Sequence, residues 1–317
     1  MASVPSVELE ELRGPLTRYC YRMLGSAADT DDAVQETMIK AARSDTFDAA
    51  RGTVSAWVYR IATNVCIDML RGAKRRALAM DLGPASEDGA LGTPLAAERW
   101  VEPMPDRRLF AAADPADVLL ERETVRLAFV ALLQRLPPRQ RAVLVLRDVL
   151  GFSARDAAEV LDATVASVNS ALQRGRAVLE ADRPAPGDVF DPGDDAQREL
   201  LRRYVTAFES HDVAEMTAVL CDDATTSMPP FAWWLRGGET IAALMTSSDA
   251  CAGDRLLPTV VNGVPGFGQY RPDARGRPRP FAIIAVEPRG GRVGQIVTFL
   301  GSGDRFAEFG LPVDPDR

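Results

Sequence analysis

Residues 53–72 read TVSAWVYRIATNVCIDMLRG, and their spacing decides the first part of the fold. Val54, Trp57, Val58, Ile61, Ala62, Val65, Cys66 and Met69 recur at i, i+3, i+4 and i+7. That period predicts an amphipathic helix with Thr53 as N-cap and Gly72 as stop. Arg60, Asn64, Asp68 and Arg71 share the opposite face beside Trp57 and Tyr59, and the basic run Lys74-Arg75-Arg76 follows. Guanidinium and amide groups in one stripe next to aromatic rings can hold phosphates and read exposed base edges, with a plain solvated face as the alternative.

Upstream, the spacing predicts a helix over about Glu8 to Leu24, closed by Gly25, and a second from Asp29 or Thr30 to about Ser44. Downstream, residues 78–114 dissolve into Gly, Pro, Ala and acids, the composition of a linker. Helical spacing returns from about Asp117 to Leu136, is broken by Pro137-Pro138, and resumes through Leu150. Ser153-x-x-Asp156 predicts a capping box opening a short helix to Leu161, and Thr164 caps another from Val165 to about Glu180. With Asp162-Ala163 between them, and small Ala157 and Ala158 facing Val165, Val168 and Leu172, the pair has the helix-turn-helix pattern.

A second Pro/Gly/Asp-rich linker follows at Arg183 to Asp195. Beyond it an amphipathic helix (Leu200, Leu201, Tyr204, Val205, Phe208) and a shorter one near Met216 precede expected strands at Ala224–Met228, Leu256–Val261, Phe281–Val286 and Val293–Leu300. The last two join through Arg289-Gly290-Gly291 as a hairpin. Helices followed by antiparallel strands make an α+β domain.

Composition narrows the function. A length of 317 residues with 46% hydrophobic and 26% charged residues predicts several globular domains. No apolar run reaches the roughly 18–20 residues of a membrane span, and Met1 to Leu16 lacks the pattern of a secretory leader, so a cytoplasmic protein without membrane contact is expected. Cys20, Cys66, Cys221 and Cys251 lie far apart and His211 is the one histidine, so neither a metal site, a cofactor nor a disulfide framework is expected. His211 sits between Ser210 and Asp212 at a predicted helix end, where capping is the expected role. The net charge of −8 argues against solo DNA binding; it divides into +1 over 8–77, −4 over 78–115, +1 over 116–183 and −6 over 184–317.

Three motifs together resemble the extracytoplasmic-function sigma factors of the sigma-70 family: residues 22–26 (RMLGS) with 31–37 (DDAVQET), residues 56–71 (AWVYRIATNVCIDMLR), and residues 136–141 (LPPRQR) with the helix-turn-helix behind them. The resemblance implies a subunit that binds core RNA polymerase and recognises the −10 and −35 promoter elements. It assigns Asp31, Asp32, Gln35 and Glu36 to the β′ clamp helices and gives region 4 the β flap. It assigns Trp57, Arg60, Asn64, Asp68, Arg71, Lys74, Arg75 and Arg76 to the melted −10 element. Ser167, Asn169, Ser170, Gln173, Arg174 and Arg176 then face the −35 major groove, and amides and guanidiniums are groups that pair with adenine and guanine edges. The acidic linker would run through a positively lined polymerase channel. Asp162 stands where relatives often have Gly, a position Asp tolerates because it visits left-handed backbone.

Tyr204 to Phe208, Leu220 to Ala224 and Ile296 to Leu300 resemble the SnoaL-like α+β cone. There Met228, Phe231, Trp233, Trp234, Phe267, Tyr270 and Phe299 are the expected lining of an apolar pocket with room for a small apolar ligand, core packing being the alternative. The expected architecture is therefore multidomain: sigma region 2, an all-α bundle, at 8–77; an acidic linker at 78–115; sigma region 4 with its helix-turn-helix, also all-α, at 116–183; a linker at 184–195; and the SnoaL-like α+β cone at 196–312. The expected function is a non-enzymatic sigma factor whose C-terminal domain modulates it in cis. The alternative is a helix-turn-helix regulator fused to a SnoaL-like small-molecule enzyme. Asp222, Asp223 and His211 fall at predicted element ends and form no evident acid–base pair.

Overall fold

Apolar faces at helical spacing need partners, and in the computed structural model the N-terminal and central helices find them in one another. The structure describes residues 6–44, 47, 53–110, 121–181, 187–247 and 251–316. The chain divides into two compact units, one of residues 1–77 with 108–184 and the other of residues 78–107 with 185–317.

The first unit is all-α. Helices α1 (Ser6–Glu11), α2 (Arg13–Leu24), α3 (Ala27–Arg43) and α4 (Val54–Met69) are followed, in the same unit, by α5 (Leu127–Gln134) and α6 (Pro138–Leu144). A π-helical turn at Val145–Val149 then leads to α7 (Ala154–Val160) and α8 (Val165–Ala181). Of the expected helix over 117–136, residues 117–120 lie outside the described residues. Leu16, Met23, Val34, Val58 and Cys66 share one buried cluster with Leu133, Leu144, Val160, Val168 and Leu172. The two helical sets, expected as separate tethered domains, thus have a common core.

Local signals place the helix ends. Thr53 accepts from Ala56 N, Ser153 and Asp156 form a reciprocal capping box, and Gly25 at φ 68° closes α2. Asp162 takes φ 49°, the left-handed conformation expected of the turn. The cap of α3 is corrected: Ser26, not Asp29 or Thr30, accepts from Asp29 N, so the helix starts three residues earlier.

Buried polar groups tie the helical sets together. Arg22, fully buried, donates to Thr124 Oγ1 at 2.6 Å and Glu121 Oε2 at 3.1 Å. Gln134 Nε2 donates to Arg22 O at 3.2 Å. The buried Arg141 donates to Met23 O, Gln134 Oε1, Gln134 O and Leu136 O. The Arg141 guanidinium thereby satisfies one carbonyl at the end of α2, Met23 O, and two at and just beyond the end of α5, Gln134 O and Leu136 O, that the helices themselves leave without donors.

The second unit is α+β. Helices α9 (Asp195–Ser210), α10 (Val213–Val219) and α11 (Gly238–Ser247) accompany six strands: β1 (Leu220–Ser227), β2 (Trp234–Arg236), β3 (Arg255–Val261), β4 (Val264–Pro272), β5 (Pro278–Arg289) and β6 (Arg292–Leu300). The sheet order is β2-β1-β6-β5-β4-β3, antiparallel except for the β1–β6 pair. His211, at φ 55°, is the C-cap of α9, and Asp212 caps α10 by accepting from Glu215 N.

The expected linkers are corrected where they are described. Residues 78–107 belong to the second unit. Ser86 N donates to Trp234 O at 2.7 Å, Leu95 N to Pro230 O at 2.8 Å, and Met104 N to Asn262 Oδ1 at 2.8 Å. The indole N–H groups of Trp233 and Trp234 donate to Asp88 O and Gly83 O at 2.8 and 3.0 Å. Trp100, Val101 and Met104 are buried. Residues 111–115 of that expected linker, and 184–186 of the next, lie outside the described residues. The remainder of the second linker is docked as well: the Asp188 carboxylate accepts from Gly290 N and Gly291 N at 3.0 and 3.1 Å, across the β5–β6 hairpin turn.

Candidate nucleic-acid and polymerase interfaces

Helix α4 turns Val58, Tyr59, Ala62, Thr63, Val65 and Cys66 inward and leaves Arg60, Asn64 and Asp68 exposed, so the polar stripe lies on the surface. Its groups differ in freedom. Asp68 pairs with Arg71 at 2.9 Å, and Arg60 lies 3.9 Å from Asp162. Arg76 is 11% exposed and bound to Asp29 at 2.7 Å, which removes it from the expected free basic run. Lys74 and Arg75 are exposed and form no ion pair among the described residues. They are the cations that can meet a phosphate without breaking an existing bond.

The aromatic part of the stripe is smaller than expected. Tyr59 is buried, edge-on to Tyr19 and Phe152 with centroids 5.2 Å away in each case. Burial pushes its phenol pKa up, and the ring has no face left for a base. Trp57 is half-buried against Phe47, centroids 5.5 Å apart, and keeps an edge on the surface.

In α8, Val168, Ala171, Leu172 and Gly175 face the core at helical spacing. Ser167, Asn169, Ser170, Gln173, Arg174 and Arg176 are all exposed, and Thr164 Oγ1 accepts from Ser167 N at 3.2 Å. The Asp148 carboxylate grips Arg176 through two bonds of 2.6 and 2.8 Å, and the first of these influences on its pKa, the hydrogen bond, raises it. Arg174 makes no ion pair among the described residues. Arg155, on α7 before the turn, has a side chain 84% exposed and lies 3.4 Å from Glu159.

On α3 the side chains of Asp31, Asp32, Gln35 and Glu36 are exposed one turn apart, which makes an acidic face. Asp31 is already bound by Arg108, and Glu36 pairs with Lys40 at 3.1 Å. Asp32 and Gln35 carry no such partner among the described residues.

The C-terminal unit contains a cavity of about 260 Å³. Of the expected lining, Met228 and Trp233 are present, whereas Phe231, Trp234, Phe267, Tyr270 and Phe299 are not. Strand alternation explains part of the correction: on β6, Ile296, Thr298 and Leu300 line the cavity, so Phe299 points to the other face. Trp234 packs instead with Ala79 and Trp100, Phe267 stacks behind Tyr204 at 5.8 Å, and the Tyr270 hydroxyl donates to Pro312 O at 2.7 Å. Among the described residues the lining includes no carboxylate or imidazole. Among the described residues no group of three or more His, Cys, Asp or Glu side chains is placed to hold a metal, and no helix is long and apolar enough to cross a membrane.

Comparison with known proteins identifies the two helical modules. Residues 9–76 match sigma-70 region 2 and residues 126–179 match sigma-70 region 4. ECF RNA polymerase sigma factor SigG of Mycobacterium tuberculosis is 38% identical over 314 residues, covering 97% of this chain and 84% of that protein. SigJ of the same organism is 27% identical over 304 residues, covering 90% and 88%. The crystal structure of Mycobacterium tuberculosis SigJ superposes with a TM-score of 0.62 at 21% identity, over 98% of this chain and all of the other, so the fold including the C-terminal unit is shared. With the 38% identity to SigG extending over 97% of its length, through both helical modules and into the C-terminal sheet, the chain belongs to the ECF RNA polymerase sigma factors.

Proposed function

We propose that this sigma factor governs promoter initiation in cis, its C-terminal unit holding the segment that joins the two promoter-binding modules. The observation that carries the reading is the docking of residues 78–107 on the C-terminal sheet domain. The −10 and −35 elements are centred about 25 base pairs apart by their names, or ~85 Å at 3.4 Å per base pair. A released segment of about thirty residues can span up to ~100 Å, while a docked one lends none of that length. Undocking therefore frees the length that region 2 and region 4 need once they part from their common core on the promoter.

Within this reading, Asp32 and Gln35, supported by Asp31 and Glu36, meet the β′ clamp helices. Asn64, Lys74 and Arg75, with Trp57, Arg60, Asp68 and Arg71, capture the melted −10 strand, and Arg76 keeps its structural bond to Asp29. The α8 side chains Ser167, Asn169, Ser170, Gln173, Arg174 and Arg176 read the −35 duplex, and region 4 engages the β flap. The linker's course through a polymerase channel belongs to the undocked state. In this reading the C-terminal unit acts by binding and not by turnover; among the described residues its cavity is lined by no carboxylate or imidazole.

The test is run-off transcription with core polymerase and the Trp233→Phe plus Trp234→Phe double variant. These substitutions keep two aromatic cores and delete only the indole bonds to Asp88 O and Gly83 O. We expect faster proteolysis within residues 83–95 and more promoter-dependent transcript than the unaltered chain gives. Faster proteolysis with unchanged transcript would refute control through the segment.

A further inference from the structure

We infer that the cavity of the C-terminal unit is a binding site for a small, neutral, mainly apolar molecule bearing one carbonyl or hydroxyl oxygen, and that its occupant secures the docked segment 78–107. Tyr204 lines the cavity and is fully buried, and its hydroxyl has no hydrogen-bond partner among the described residues. A buried hydroxyl without a partner is costly and is seldom left so. Its ring is fixed between Phe208 and Phe267, with centroids 6.5 and 5.8 Å away, so it has no evident route to another partner. Burial, and then the neighbouring Cys251, raise the phenol pKa, which keeps the O–H available as a donor to an oxygen.

The rest of the lining sets the ligand's polarity. Leu91, Met228, Leu244, Ile284 and Ile296 give apolar walls, and Gln269, Arg271 and Cys251 form a polar end. Arg271 does not make that end an anion site. Its guanidinium is paired with the buried Asp254 at 2.8 Å and lies over the Phe281 ring at 3.7 Å, while Gln269 also donates to Asp254. The charge is balanced before a ligand arrives, which favours a neutral molecule. Burial raises the Cys251 thiol pKa, which disfavours the reactive thiolate. At ~30 Å³ per water, the cavity's 260 Å³ corresponds to about nine waters, a little below the range of drug-sized pockets.

The segment between the two sigma regions forms part of the same wall. Gly89 and Leu91 line the cavity, and a Cβ added at Gly89 would lie 2.8 Å from Leu244 Cδ1. A larger residue there would have to displace the Leu244 side chain from the cavity wall. Trp233 both lines the cavity and donates to Asp88 O. An occupant therefore touches the segment and the side chain that holds it, and binding to the docked form stabilises that form. The regulatory consequence of occupancy depends on the segment acting as proposed above, whereas the binding itself does not.

The probe is 2-acetylnaphthalene, an apolar bicycle with one ketone, titrated into the full chain by calorimetry. Saturable one-to-one binding is expected, weakened by up to about tenfold in Tyr204→Phe through loss of one hydrogen bond. That variant should unfold at the same temperature as the parent or higher, since it removes an unpaired group. Leu244→Trp, which fills the cavity, should abolish binding. In the parent, the ketone should slow hydrogen exchange at the Ser86 and Leu95 amides. No saturable binding, or equal affinity in all three proteins, overturns the site; binding without slower exchange at those amides overturns its hold on the segment. Neither readout involves transcription, so failure here is distinguishable from failure of the proposed function.

Discussion

Arg141 shows how a residue in a family-like motif can serve the fold first. Residues 136–141 were legible as a helix break and restart, yet nothing in their spacing revealed that the guanidinium is buried and caps α2 from a distance of more than a hundred residues in sequence. Burial lowers its pKa to about 10, and four carbonyl or amide oxygens hold it. Arg141→Met keeps the apolar stem but leaves Met23 O and Leu136 O without this donor, at ~1–3 kcal/mol for each buried group left unpaired. We expect the helical unit to lose about 2 kcal/mol or more in chemical denaturation, and an unchanged midpoint would contradict the capping role. At the surface, Asp32→Lys with Glu36→Lys reverses the acidic face of α3. Like charges brought together at an interface cost several kcal/mol, so affinity for core polymerase should fall by at least tenfold in a binding titration while helix content stays constant.

Elements with a clear period were legible, and elements built from glycine and proline were not. Helices α4 and α8 announce themselves by apolar spacing and caps, and β5 and β6 by β-branched runs around a Gly-Gly turn. Strand β4, residues 264–272, is absent from the expected strands because Gly266, Gly268 and two prolines interrupt its strand pattern. Its glycines are demanded by tertiary packing: a Cβ at Gly266 would lie 2.6 Å from Ile284 O, and one at Gly268 2.5 Å from Leu311 Cδ1. The acidic segment was misread for a related reason, since its few apolar residues, Trp100, Val101 and Met104, find partners only on a sheet far along the chain. Between β4 and β5, Asp273 holds the loop. Bonds from the Arg277 and Arg275 amides, and then from the Arg279 side chain, bring its carboxyl down to about 2. A carboxylate whose folded pKa is depressed contributes stability above its unfolded value and loses it as pH falls. Amide exchange at Arg275 and Arg277 should therefore accelerate, beyond the intrinsic rate, between pH of about 4 and about 2, and Asp273→Asn should show no such step.

At the scale of the molecule, the two units differ in what each needs from the other. Among the described residues the core of the helical unit draws on residues between Leu9 and Leu179 and on none from 78–107 or from beyond 184, so its folding is internally supported. The segment 78–107 is in the opposite position, because Trp100, Val101, Met104 and the indole-bonded turn at Gly83 to Asp88 are sheltered by the C-terminal sheet. Removing residues 191–317 should then have two separable effects. The helices should keep their cooperative unfolding transition, while the segment loses its dock and becomes the first site of proteolysis. Burying three side chains of this size contributes on the order of 5 kcal/mol toward holding the dock. With it gone, the connection regains its length, and run-off transcription at matched polymerase occupancy should rise. Transcript falling on truncation, with the helical unit still folded, would mean that the C-terminal unit braces the modules for promoter binding and does not restrain them.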